Sequence, residues 1–428
     1  MANSTPRTAF SARDLGELAR IYPALAPLAD DIAVAAAVLP FRVTAHVLEL
    51  IRWEDVPERD PLFALSFPRL AMLDPDEVRE LEEARRDDDR FDGLARRIRE
   101  RRERAARSVI PFVAELHGRP LRGIQRKYHA SVAVFPAASE TSRAFGGYGF
   151  RAAQFVDDTA GVFELNDPAL LHDYLRAHPE IEDVIYTGLD PLLSAARVLR
   201  RFVEPVLERD GVRSVRFGTA LPAYWPGRFL DEPDAEELLG IFAEIAGRNK
   251  SVSIMFSSSH PRELEAPRAR QAIATIRRSG AEIRTQTAIM RGVNDDAATL
   301  RALWNEQLRL ACVPYDVFLP RDTGAHRIFD VPIAHAARIL ADAARDLPSI
   351  APPARGPVMS TKYGKIAVVG ELEIGGRRAF ALRFARGTVR ANTGALFLAA
   401  YDESATAFQD LRPFGPEPFS FINGGSKV

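Results

Sequence analysis

From Ser131 onward, short apolar runs alternate with longer segments of helical spacing. Ser131–Pro136, Asp183–Thr187, Ser214–Thr219, Val252–Ser257, Ile283–Ile289 and Tyr315–Leu319 read as buried strands. Between them lie Pro191–Asp210, Ala235–Arg248, Ala266–Ser279, Asp295–Ala311 and Pro332–Arg345. Their apolar residues recur at i, i+3 and i+4, as in Leu238, Ile241, Phe242 and Ile245. These six strand–helix units predict an α/β fold: a parallel sheet curving into a partial (βα)6 TIM-like barrel over residues 127–347. The loop after the first strand, within SVAVFPAASETSRAFGGYG, then falls at the face where barrels do their chemistry.

The flanks read differently. Residues 1–126 predict a helical region, with Leu39–Val43 breaking two short helices and Trp53 covering a hydrophobic contact. Residues 74–108 are dominated by charge. Asp74-Pro75-Asp76-Glu77 is a helix start, and the basic residues at the far end suit the helix dipole. Acids interleaved with the arginines favour a solvated helical pair over a nucleic-acid arm. Residues 348–428 predict a proline-rich linker and a small antiparallel β appendage. Its strands are Lys365–Gly370, Arg378–Phe384 and Ala395–Tyr401, and Gly375-Gly376 is a hairpin turn. Residues 417–428 read as lacking order.

Composition narrows the classes. In 428 residues, 57 basic side chains face 58 acidic ones, so no global field favours nucleic acid or an anionic membrane. The N-terminus lacks a signal-peptide layout, and Ile32–Phe41 is too short to span a bilayer. A cytoplasmic location is the expectation. The single cysteine, Cys312, excludes internal disulfides and any cluster needing several thiolates, so no metal is expected.

Several motifs in order carry a resemblance. They are Leu39-Pro-Phe-Arg-Val43, Lys127-Tyr128-His129, Thr187-Gly-Leu-Asp-Pro-Leu192, His260-Pro-Arg-Glu263, Thr285–Asp295, Pro314-Tyr315 and Pro357-Val-Met359. Each is weak alone. As an ordered set over about residues 38–370, the chain resembles the lysine 2,3-aminomutase family of radical S-adenosylmethionine enzymes. The resemblance implies a six-unit barrel and a [4Fe–4S] cluster on three cysteines, with S-adenosylmethionine on the open iron. It also implies pyridoxal phosphate held as a Schiff base.

At the positions that matter, the chain departs from that pattern. By the resemblance, the cluster cysteines fall on Glu140, Ala144 and Gly147, and the Schiff-base lysine on Arg355. The substrate-carboxylate arginine falls on Gly149, and the aspartate for the substrate side chain on Arg321. Arginine forms no Schiff base at neutral pH, since its pKa exceeds ~12. Cluster and pyridoxal phosphate are therefore both expected to be absent.

The positions that survive are Gly188, Asp190, His260, Gln286, Arg291 and Asn294. They suggest a retained site for S-adenosylmethionine or a related nucleoside or amino acid, with Glu140 or Asp190 as a base for polar chemistry. Each has a structural alternative. Asp190 reads equally as a helix cap, His260 as a capping or packing residue, Asp295 as a helix start and Gly188 as a tight turn. Arg291 before Gly292 suggests an anion or ribose contact. The alternative function is a non-catalytic scaffold presenting the charged 74–108 helices, and the resemblance suggests a homo-oligomer.

Overall fold

The computed structural model describes residues 9–54, 56–107, 112–137, 163–188, 190–320 and 326–423. Glu140, Ala144, Gly147, Gly149 and Arg321 lie outside them. One twelve-stranded mixed sheet runs through the centre. Its strands are β1 (Val113–Leu116), β2 (Arg119–Tyr128), β3 (Ser131–Val134), β4 (Asp183–Tyr186), β5 (Ser214–Thr219), β6 (Ser251–Ser257), β7 (Glu282–Ala288), β8 (Val313–Phe318), β9 (Arg355–Thr361), β10 (Gly364–Ile374), β11 (Arg377–Gly387) and β12 (Leu396–Ala400). Their order in space is their order in sequence. Strands β3 to β9 pair in parallel, and both ends of the sheet are antiparallel. Strands β3 to β8 match the six expected from the hydrophobic pattern to within two residues.

Alternation explains how this sheet packs. In β5, Val215 and Phe217 are buried while Ser214 and Arg216 are half-buried. In β7, Ile283, Thr285 and Thr287 are buried while Glu282, Arg284 and Gln286 are half-buried. The buried set packs under the helices in one large core with Leu199, Phe202, Leu238, Phe242, Ile276, Leu300 and Trp304. Polar groups of the strands on this side find partners. The Tyr186 hydroxyl donates to Phe202 O at 2.6 Å, and Thr285 donates to Gln307 Oε1 at 2.8 Å. A buried hydroxyl left without a partner would cost ~1–3 kcal/mol.

The half-buried set lines the other face, and that face curls onto itself. Lys127 Nζ on β2 donates to Thr361 O at 2.6 Å and lies 3.3 Å from Ser360 Oγ, both on β9. Arg386 Nη2 on β11 donates to Ser131 Oγ on β3 at 2.9 Å. These strands lie far apart in sheet order, so only a strongly curved sheet brings them into contact.

Helices of the N-terminal region pack beside the sheet. Phe41, Phe63 and Phe67 form a second core that also takes in Met290, Val293 and Phe329 from the sheet's loops. Trp53 stacks on Tyr22 at 4.3 Å and donates to Leu48 O at 2.9 Å. Helix Pro75–Ala84 opens with a capping box between Asp74 and Glu77. Buried Glu77 also accepts from Arg101 and Arg102 of helix Asp88–Arg107, which locks the charged helices together as a pair.

Three features differ from the sequence expectation. The hairpin β1–β2 falls within the region read as helical. Strand β9 falls in the stretch read as linker, where density of Pro and Gly masked it. There Gly356 has φ of 154°, and a Cβ on it would lie 2.6 Å from Val317 Cβ, so glycine is what lets β9 approach β8. Finally, β10 to β12 continue the main sheet, and Phe419 and Phe421 pack with Phe397 and Phe408 instead of lacking order. Gly375 and Gly376, at φ of 57° and 72°, form the expected two-residue turn.

Candidate functional site

Two sets of residues stand out, one in the loops after the parallel strands and one on the inner face of the sheet. In the loops, Gly188 has φ of 137°, a conformation other residues rarely adopt. Asp190 follows it and is buried. Its Oδ1 accepts from Leu192 N at 3.1 Å, and its Oδ2 accepts from Thr219 Oγ1 at 2.7 Å and Ala220 N at 3.0 Å. Burial pushes its carboxyl up to about 7, against the pull of those three donors. Both oxygens accept hydrogen bonds that cap one turn and tie it to the next strand, an arrangement that suits the helix-cap alternative for Asp190.

Asn294 is fully buried and its side chain is equally committed. Oδ1 accepts from Met290 N at 2.7 Å, and Nδ2 donates to Ser259 O at 2.8 Å and Ala288 O at 2.9 Å. It clamps the loops after β6 and β7 and has little left to offer a ligand. His260 Nδ1 accepts from Arg262 N at 3.2 Å. Burial, then the Arg262 charge, holds its imidazole down to about 4, so it is neutral near pH 7. Arg291 is exposed, and its Nε donates to Asp330 O at 2.9 Å. It lines an open cavity of about 330 Å³ with Asp295, His335, Arg338 and Glu403. Asp295 Oδ1 accepts from Gly292 N, while Asp296 caps the helix Ala297–Arg309, one residue later than expected.

The inner face holds the second set. Gln286 sits in register beside Asp316 of β8, and Asp316 beside Arg355 of β9. The Gln286 amide is half-buried and has no hydrogen-bond partner among the described residues. Asp316 is buried, with Arg355 Nε at 3.1 Å and Lys365 Nζ at 2.7 Å. Arg355 stacks on the Tyr315 ring at 4.3 Å and bonds its hydroxyl, and Arg284 stacks on the same ring at 5.0 Å. Arg216 pairs with Asp183. Burial, then the charges of Arg216 and Arg386, pulls Arg355 below its ordinary value. Burial likewise lowers Lys365, opposed by Asp316. Of the residues expected as ligand contacts, Gln286 alone lies in this register row. Arg355 was singled out from the sequence, whereas Arg216, Arg284 and Arg386 were not, although β5 and β7 alternate buried residues with the half-buried polar residues Ser214, Arg216, Glu282, Arg284 and Gln286.

Two further groups bear on chemistry. Cys312 is buried, and burial pushes its thiol up to about 12. Among the described residues, no group of three or more His, Cys, Asp or Glu is placed to hold a metal ion. No helix there is long and apolar enough to cross a membrane.

No family model matches the chain. An assigned L-lysine 2,3-aminomutase of Aquifex aeolicus is 29% identical over 306 residues, covering 72% of this chain and 79% of that protein. The L-lysine 2,3-aminomutase of Escherichia coli is 29% identical over 143 residues, 33% of this chain and 39% of that enzyme. Over about 300 residues the chain is thus similar to proteins named lysine 2,3-aminomutase. Among solved structures, a radical SAM methyltransferase from Sphaerobacter thermophilus aligns with a TM-score of 0.33 at 14% identity, over 53% of this chain and 67% of that one.

The residues present do not fit the two groups that this family's pattern implies. A three-thiolate cluster site cannot be built from one cysteine, least of all one whose thiol is buried and held protonated. At the Schiff-base position, Arg355 is a guanidinium already engaged by Asp316 and Tyr315.

Proposed function

We propose that the chain is a non-radical, ligand-binding member of the lysine 2,3-aminomutase family. Its curved sheet is read as a partial six-unit barrel whose inner face binds S-adenosylmethionine or a related nucleoside or amino acid. Radical generation and amine capture as a Schiff base are lost, because Glu140, Ala144, Gly147 and Arg355 cannot supply thiolates or an amine.

One observation carries the binding reading. Gln286 presents an unpartnered amide on the inner face, at the strand position that the resemblance assigns to the nucleoside. A scaffold that had merely kept the fold would gain by filling that face with apolar side chains or by pairing the amide within the protein. Asp190 and Asn294 then serve by fixing the loops above it, and Glu140 is the remaining candidate base for polar chemistry.

Calorimetry with S-adenosylmethionine, its thioether product, lysine and pyridoxal phosphate tests this. At least one should give saturable heat, and Gln286→Ala should weaken it by roughly tenfold, the worth of about one neutral hydrogen bond. Arg291→Ala, in the separate outer cavity, should change it little. No heat from any of the four would return the chain to the scaffold reading.

A further inference from the structure

On the inner face, near the starts of the parallel strands, four cations pair with three carboxylates and a fifth, Arg386, lies beside them. Arg216 takes Asp183, Arg284 takes Glu282 through two bonds of 2.8 and 3.1 Å, and Arg355 and Lys365 share Asp316. Arg386 has only neutral company among the described residues: Ser131 Oγ at 2.9 Å and the Tyr128 ring at 4.6 Å. The five are close enough that Arg216, Arg386 and Arg284 all act on the Arg355 charge. Their side chains stay partly open, at 22% for Arg216, 35% for Arg284 and 24% for Arg355, so the group is a lined recess and not a sealed core.

Five cations against three carboxylates leave an excess of positive charge on a partly desolvated wall, which an added negative group would relieve. Arg355 and Arg284 lie over the Tyr315 ring and Arg386 over the Tyr128 ring; Arg355 already donates to the Tyr315 hydroxyl and Arg284 to Glu282, while Arg386 donates only to Ser131 among the described residues. A planar guanidinium fork matches oxyanion geometry. We propose that this recess is a binding site for a small oxyanion group, a phosphate or a carboxylate, with Arg386 as its least committed donor and Arg355 and Arg284 beside it. The site is separate from the outer cavity at Arg291 and does not depend on the nucleoside reading.

Titration of the full chain with inorganic phosphate and with malonate, at constant ionic strength set by chloride, tests the proposal. Saturable binding of one or both is expected, with Arg386→Gln weakening it roughly ten- to a hundredfold, the range for one charge-assisted hydrogen bond. Preference for phosphate identifies a phosphoryl ligand, and preference for malonate a carboxylate one. Gln286→Ala should leave phosphate binding in place, which separates this site from the nucleoside site. Should Arg386→Gln not fold, Arg284→Gln is the second variant and the same loss is expected. Absence of heat with both anions in the wild type overturns the proposal, as does binding that a folded Arg386→Gln or Arg284→Gln variant retains in full.

Discussion

Glu263 gives the sharpest quantitative test of the packing between the N-terminal helices and the sheet. Its side chain is 3% exposed. Oε2 accepts from Ser259 N at 2.9 Å, while Oε1 is buried with no partner among the described residues. Burial pushes the carboxyl up to about 8, against the opposing pull of the Ser259 and His260 amides and Arg262. The folded value therefore lies above the ordinary 4.5. Below pH 4.5 both folded and unfolded chains hold the proton and the residue costs nothing. Between 4.5 and about 8 the unfolded chain releases it while the folded chain does not, so stability falls as pH rises, and above about 8 the loss is complete. At ~1.4 kcal/mol per unit, three and a half units set an upper limit of roughly 5 kcal/mol. Glu263→Gln keeps an oxygen for Ser259 N and removes the titration. Urea unfolding at pH 5.5 and 7.5 should show the wild type losing about 2–3 kcal/mol more than the variant over that interval. Taking the difference between the two proteins cancels Asp190, His46 and His260, which titrate in both. Equal pH slopes in wild type and variant, or a variant less stable than wild type at pH 7.5, would refute the reasoning.

Other tests are simpler. Anaerobic reconstitution with iron and sulfide should leave the protein colourless and without stoichiometric iron, because Cys312 is the single thiol; a brown, iron-loaded protein contradicts this. Borohydride reduction after incubation with pyridoxal phosphate should give no adduct at residue 355 by peptide mass, and any adduct on Lys365 would show that the neighbouring amine had taken over. Asn294→Ala should lower stability by about 2–4 kcal/mol, since it frees Met290 N, Ser259 O and Ala288 O at once; a melting temperature within a degree of wild type would remove its clamping role. Glu77→Ala should destabilise by about 1–3 kcal/mol and raise protease sensitivity in 88–107, by leaving Arg101 and Arg102 without their carboxylate.

The parallel strands were legible because their buried faces carry β-branched and aromatic residues between helical segments of clear period. Val215-Arg216-Phe217 and Ile283-Arg284-Thr285 show it in three residues each. Strand β9 was not legible, because pairing depended on Gly356 fitting against Val317, a tertiary contact with no local signal. For the loops, residue type was informative and role was not. Asp190 and Asn294 were found by motif, but only geometry shows that each makes three hydrogen bonds within the protein. Arg291 and Gln286 lie five residues apart in sequence, yet one turns to an outer cavity and the other stands on the inner face. Sequence spacing across a strand end does not decide between those directions.

The inner face also distinguishes a binding protein from a relic. Parallel strands covered on both faces normally read as continuous apolar runs, since each face packs against something dry. Here β4, β5 and β7 alternate instead, with Asp183, Arg216, Arg284 and Gln286 on the side away from the helices. Alternation in a parallel sheet means that one face is wet. A wet concave face is costly to maintain, because charged side chains brought close together repel and give up hydration. Apolar replacements at the same positions would close the recess and add core, at ~25 cal/mol for each Å² removed from water. The sequence carries Arg, Lys, Asp and Gln there instead. A single cysteine and an arginine at position 355 do not by themselves account for charged side chains built around Tyr315 and Tyr128 with partial access to solvent. A ligand that brings polar or negative groups onto that wall does account for them.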